Sequence, residues 1–421
     1  MASDLLPPAQ PAFVLRGHSA QIHALHFTKG NARLLTADAD GWIVSWNLAF
    51  KRPVAVWRAH SSAILGVGSW GHDRVITHGR DHKLIVWKLD EEDEGALDKM
   101  LPIDANDVPH KHPWLLYALS VNTLNFCPFA MCRDGMPQIL STQKAIKDNK
   151  IPDPILIAVP NTIDSGGIDI YQLPTQVRAA NIGADRSITT GMVMAIAIQA
   201  ETTRIQVAAG YESGHTMVFI QNDPAAAFQR LYSAKPHTQP VLSLALSPLP
   251  STTYLTTSAD ANISRHPFPT AKSIWNTEMK PIKTVPTKHS GQQGCSYRND
   301  GKVFATAGWD GAGRVYSGKT MKEVAVLKWG GGNVGCYASA FAEVGGLMRC
   351  GKVVEEGDEE AVVEASTSKS TSTSNELASP PVGQSSGVLS SVQHRRDEKA
   401  RSTHWLAIGA KDGKVSLWDV Y

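Results

Sequence analysis

Two quartets of side chains carry the types that nucleophilic catalysis uses. His18, Thr36, Asp40 and Trp46 form the first, and His60, Thr77, Asp81 and Trp87 the second. A hydroxyl, an imidazole and a carboxylate could make an activated nucleophile, its base oriented by the acid. The same groups could instead form a buried hydrogen-bond network, in which each is satisfied rather than costing about 1–3 kcal/mol. Repetition favours the network. In both quartets a Thr lies four residues before the Asp and a Trp six after it, and a catalytic set has no reason to recur at one spacing. The quartets are read as scaffold, and no residue is assigned a catalytic role.

Other chemical motifs fail on context. Gly66-Val67-Gly68-Ser69-Trp70-Gly71 matches the glycine pattern of a dinucleotide loop. Such a loop cradles phosphate only between a strand and a helix, whereas here another apolar run, Arg74 to Thr77, follows at once. A β-turn is expected instead. Cys127 and Cys132 stand five apart without a Cys or His pair at finger spacing, and Cys295, Cys336 and Cys350 read as isolated small apolar residues. No zinc-protease helix and no phosphate-binding P-loop are present, so neither a metal nor a cofactor is expected.

The quartets need elements to hold them, and the repeat supplies those. The step from Asp40 to Asp81 is 41 residues, inside the roughly 40–45 residue period of a WD-repeat blade. Weaker copies follow: His237 with Thr256, Asp260 and His266; His289 with Thr306, Asp310 and Tyr316; and Asp412 before Trp418-Asp419. With Asp164 and Glu212 the anchor acids number seven. Each unit reads as short alternating or continuous apolar strands, such as Ile22 to Phe27 and Val241 to Leu246, and no long helical period competes with them. The expected fold is all-β: one seven-bladed WD40-type β-propeller over residues 1–421, its last blade completed by an N-terminal strand at 12–16.

Two insertions interrupt the period. Residues 90–111 open with an unbroken acidic run, Asp90-Glu91-Glu92-Asp93-Glu94. Residues 351–402 run from acidic through Ser/Thr-rich to mildly basic and lie within the last blade. Both are expected to be irregular, the second disordered, because such compositions bury too little apolar surface to offset ordering entropy.

Composition narrows function. Lys plus Arg total 41 against 39 Asp plus Glu, a balance that argues against a binder working by bulk phosphate neutralisation. No apolar run approaches a membrane span, residues 1–11 lack the features of a secretory signal, and five cysteines suit a reducing compartment. What remains is a binding surface. Residues just before the anchor acids sit on second-to-third-strand turns at one face of the ring. Among them Arg80, Trp309 and Lys411 form the candidate partner-binding face, Arg and Trp being types that dominate interface energy.

Several segments resemble one known family. They are Pro113 to Tyr117 with Ser120 to Cys127, Val159 to Thr162 with Gly167 to Tyr171, Ala209 to Gly214, and Ala305 to Gly311 with Arg314 to Ser317. Together they are similar to the ASTRA-associated protein 1 family, WD-repeat subunits of the fungal ASTRA complex. The resemblance departs at Gly311-Ala312-Gly313 and Gly330-Gly331-Gly332, where bulkier, basic residues would be expected in the first turn and the last blade's Gly-His in the second. It implies a nuclear, non-catalytic scaffold without cofactors, linked to chromatin remodelling and to assembly of phosphatidylinositol-3-kinase-like kinases. Its implied partners are protein subunits: a kinase-like giant subunit, its cochaperones and AAA+ ATPases, with neither sequence-specific nucleic acid nor membrane. The alternatives are a substrate receptor of a ubiquitin ligase and a G-protein-β-like adaptor. The adaptor would want an N-terminal heptad helix, for which residues 1–11 are too short and Pro-rich.

Overall fold

The computed structural model describes residues 9–103, 111–122, 126–135, 152–248, 250–269, 280–329, 334–345 and 385–420. Seven four-stranded antiparallel sheets follow one another along the chain. Blade one runs from Ile22–Thr28 through Arg33–Asp38 and Trp42–Asn47 to Arg52–Arg58, and later blades repeat that order. The first strands begin at Ile22, Ile64, Ala130, Val193, Val241, Gln292 and Cys336. They line the centre, and apolar clusters fill the wedges between neighbouring blades. The architecture is a seven-bladed β-propeller. Its seventh sheet takes three strands from the C-terminal end and its outermost from Phe13–Leu15, which pairs with Val415–Asp419.

Each quartet is a chain of hydrogen bonds within one blade. In blade two the Trp87 indole N–H donates to Thr77 Oγ1 (3.0 Å), which lies 2.8 Å from His60 Nε2, while His60 Nδ1 lies 2.8 Å from Asp81 Oδ1. A carboxylate only accepts, so the proton sits on Nδ1 and the threonine donates to Nε2. Burial alone would raise the Asp81 carboxyl. The hydrogen bond from His60, with the Ser61 N–H and Lys83, outweighs it and brings the value down to about 2. Blade five repeats the chain with His237, Thr256 and Asp260, and His266 replaces tryptophan. The threonines are fully buried. No substrate can reach their hydroxyls.

Blade one corrects the sequence reading. The acid that pairs with His18 Nδ1 is Asp38 (2.7 Å), not Asp40, which is exposed and whose backbone N–H caps Asp38. The reason is two positions that compete for one imidazole. Blade two has Gly79 where blade one has Asp38, and a Cβ on Gly79 would stand 2.4 Å from the His60 ring. An acid two residues further on then folds under the ring; where the nearer acid exists, it is already there. In blade six the expected quartet also differs: Asp310 is held by Arg314 (2.6 and 3.0 Å), not by His289.

Two further expectations change, and the acidic insertion adds contacts. Gly66 to Trp70 is no turn but part of the inner strand Ile64–Trp70, where bare glycines admit the Phe129 ring of blade three. The acidic stretch after Leu89 is not merely solvated. A short 3-10 turn at Asp93–Ala96 buries Glu94 against Arg33 (2.8 Å) and Lys29 (3.2 Å) of blade one. The chain then climbs the outside of blade one: Asp98 O accepts from Val56 N (2.7 Å), and Ile103 N donates to Gly17 O (2.8 Å). Within the low-complexity insertion, Ser385–Ser402 forms a helix, α1. It contacts blade one through Arg401 Nη1 to Lys29 O (2.9 Å) and Asn31 Nδ2 to Arg401 O (3.2 Å), and it buries Ala400. Residues 104–110, 346–384, Cys350 and the Gly330–Gly332 turn lie outside the described residues.

A candidate docking face at the mouth of the ring

Antiparallel order fixes what shares a face. The second-to-third turns and the fourth-to-first connections of every blade emerge together, around one mouth of the central channel. The Trp309 indole lies flat over Gly291, whose φ of +74° and absent side chain make room; a Cβ there would come within 2.1 Å of the ring. Its Nε1 donates to Gln293 Oε1 (2.9 Å), and the residue stays 41% exposed. The exposed Arg80 guanidinium stacks 4.5 Å from the ring centroid of Phe126, itself half exposed. Lys411 is also exposed, and its backbone N–H bonds to Gly335 O, beside Trp309.

Between these sits a pair that sequence reasoning did not single out. Tyr337 and His23 are the second residues of the first strands in blades seven and one, with ring centroids 6.4 Å apart. Tyr337 packs near Gly335. His23 donates from Nδ1 to Ile64 O (3.2 Å) and accepts at Nε2 from Gln21 (2.6 Å). Burial lowers its pKa, outweighing the Ile64 hydrogen bond and the Asp38 charge that raise it, with a smaller lowering from Arg80. Strand alternation was the signal that could have found both, since the second residue of a first strand turns away from the interblade core. The result is an arc of rings and cations, Trp309–Tyr337–His23–Arg80–Phe126, crossing blades six, seven, one, two and three. Trp309 and Lys411 are brought side by side through Gly335, while Arg80 stands at the far end.

The arc has the make-up of an interface. Among the described residues no cluster of three or more His, Cys, Asp or Glu could hold a metal. Burial pushes the thiols of Cys132, Cys295 and Cys336 up to about 12, and that of Cys127 further, so all remain protonated at neutral pH. No helix among the described residues is long and apolar enough to cross a membrane. Fold and surface together define a propeller with an exposed ring-and-cation arc at one mouth. The family model for ASTRA-associated protein 1 matches residues 11–418, and the chain belongs to that family. A relative of that name from Verticillium alfalfae is 46% identical over 412 residues, covering 98% of this chain and 93% of its own. One from Penicillium rubens is 43% identical over 98% of each chain. Schizosaccharomyces pombe has one that is 32% identical over 76% of this chain and 90% of its own.

Proposed function

We propose that this chain is a non-catalytic WD-repeat scaffold subunit of the ASTRA complex, docking other subunits through the arc at the channel mouth. The observation that carries the reading is family membership spanning the whole ring, from residue 11 to residue 418. Its relatives carry the name ASTRA-associated protein 1, which speaks of association. The buried threonines leave the most catalytic-looking residues without access to substrate. Arginine and tryptophan held on a rigid frame supply binding energy at low ordering cost. The finer reading follows the family: a nuclear assembly, a kinase-like giant subunit with its cochaperones and AAA+ ATPases as partners, and roles in kinase assembly and chromatin remodelling.

The test is affinity purification of the tagged chain from its native cell, beside an Arg80→Glu/Trp309→Ala variant with unchanged melting. Both positions are exposed, so the variant is expected to fold and to lose its partners. Recovery of the giant subunit and cochaperones by the parent alone supports function and face together. Recovery by both forms keeps the function and removes the face. A ubiquitin-ligase core in their place overturns the reading.

A further inference from the structure

Blade seven has lost its quartet and kept the space. Trp418 faces Leu406 across the ladder as Trp46 faces Leu34, which aligns the two blades residue by residue. Ile408 then occupies the position of Thr36, and Ala410 that of Asp38. The connection into blade seven, residues 329–335, contains no histidine; its sequence is Trp-Gly-Gly-Gly-Asn-Val-Gly. The Trp418 indole N–H, without a threonine to bond, donates to Ser416 Oγ (2.9 Å). Where imidazole, carboxylate and hydroxyl fill blades one and two, a cavity of about 230 Å³ remains between blades six and seven. An apolar cavity of about 150 Å³ already accommodates benzene, and an unfilled one costs stability.

The walls and the rim differ in chemistry. Leu327, Cys336, Ile408, Ala410 and Trp418 make an apolar interior, with the Cys336 thiol held neutral by burial. At the rim, Trp329 carries the Arg16 guanidinium and the Lys414 ammonium, each 5.5 Å from its ring centroid. Lys411 lies on the same turn as Lys414. Two carboxylates stand near these three cations: Asp412, bonded to Lys414 (2.6 Å), and Asp310, which also acts on Cys336 but is already held by a fourth cation, Arg314 (2.6 Å). Asp412 and Lys414 lie on the second-to-third turn that bears Lys411, and Arg16 and Trp329 lie on fourth-to-first connections, so the cavity opens at the mouth face.

We propose that this vacated quartet slot is an anchor pocket, taking one large apolar side chain, aromatic or leucine, from an acidic linear segment of a partner protein. The apolar walls select the anchor, and the surplus of rim cations selects the acids flanking it. The proposal deepens the docking reading: it rests on the chain being a subunit and adds the chemistry of what it grips. Burying a side chain of that size raises affinity roughly tenfold or more.

The test uses the full chain and fluorescein-labelled heptapeptides of the form Asp-Glu-Glu-X-Glu-Glu-Asp, with X as Phe, Leu or Ala, followed by anisotropy. The Phe or Leu peptide should bind at least about tenfold more tightly than the Ala peptide. Ala410→Phe, which fills the slot, should abolish that preference without lowering the melting temperature; Ala410→Leu serves if the larger ring disturbs folding. Arg16→Glu/Lys411→Glu should weaken every peptide yet keep the preference. Equal binding of the Phe and Ala peptides, no binding by any of them, or a preference that survives slot filling would each overturn the proposal. Native subunits recovered by both the parent and Ala410→Phe would overturn the pocket and leave the docking reading standing.

Discussion

Asp38 and Asp40 are two residues apart in a segment, Thr36-Ala37-Asp38-Ala39-Asp40, that offers the imidazole of His18 two acids. Spacing copied from blade two selects Asp40; the structure selects Asp38, which accepts from His18 Nδ1 and from the backbone N–H groups of Asp40 and Trp42 (3.0 and 2.9 Å). Replacing Asp38 by alanine strands these donors in a fully buried site, at about 1–3 kcal/mol for each left unsatisfied. Asp40→Ala, on the exposed turn, should stay within about 0.5 kcal/mol. Urea midpoints of the two variants decide it, and a larger loss from Asp40 would refute the geometry. Residue types therefore identified the network, while its exact members depended on a feature that spacing does not carry: whether a side chain already occupies the nearer position. The same limit hid Tyr337 and His23, whose place at the mouth follows from strand alternation and not from any motif.

At the scale of elements, strands were legible because each buries a face with period two or buries both faces, as Arg33–Asp38 and Ile155–Pro160 do. The helix α1 was not. Its sequence lacks an apolar stripe, with only Ala400 buried along Ser391–Ser402. It docks instead through main-chain acceptors: Ala400 O takes the Trp405 indole N–H (3.1 Å), and Arg401 O takes Asn31 Nδ2. Composition counts apolar surface and cannot see such bonds. Ala400 packs in the cluster that contains Leu15, Trp42 and Trp405. Ala400→Glu should overpack that site by about 1–3 kcal/mol and add the penalty of an unpaired buried charge. Gln393→Glu, on the exposed side of the same helix, serves as control. Equal denaturation of the two variants would mean that the helix does not rest on the blade.

The whole molecule depends on one junction that the chain makes last. Phe13–Leu15 joins a strand some four hundred residues away, so closing the ring incurs the largest loop entropy in the fold. Both insertions converge there. The segment from Glu94 to Ile103 straps the outside of blade one and ends on Gly17, and α1 leans from blade seven onto Lys29 and Asn31. Leu15, Ile103 and Ala400 share one apolar cluster, at 1%, 5% and 3% exposure. The sequence marked these insertions as interruptions because each departs from the blade period; their contacts bind the seam that the period leaves weakest. Leu15→Ala and Ile103→Ala should each cost about 2–5 kcal/mol. Contacts within one cooperative seam should also couple, so the double variant should depart from additivity by about 0.5–3 kcal/mol. A double-mutant cycle in urea measures that term. A cycle additive within about 0.3–0.5 kcal/mol would show that strap and closing strand hold the ring independently; coupling in the predicted range would make the insertions part of the closure itself.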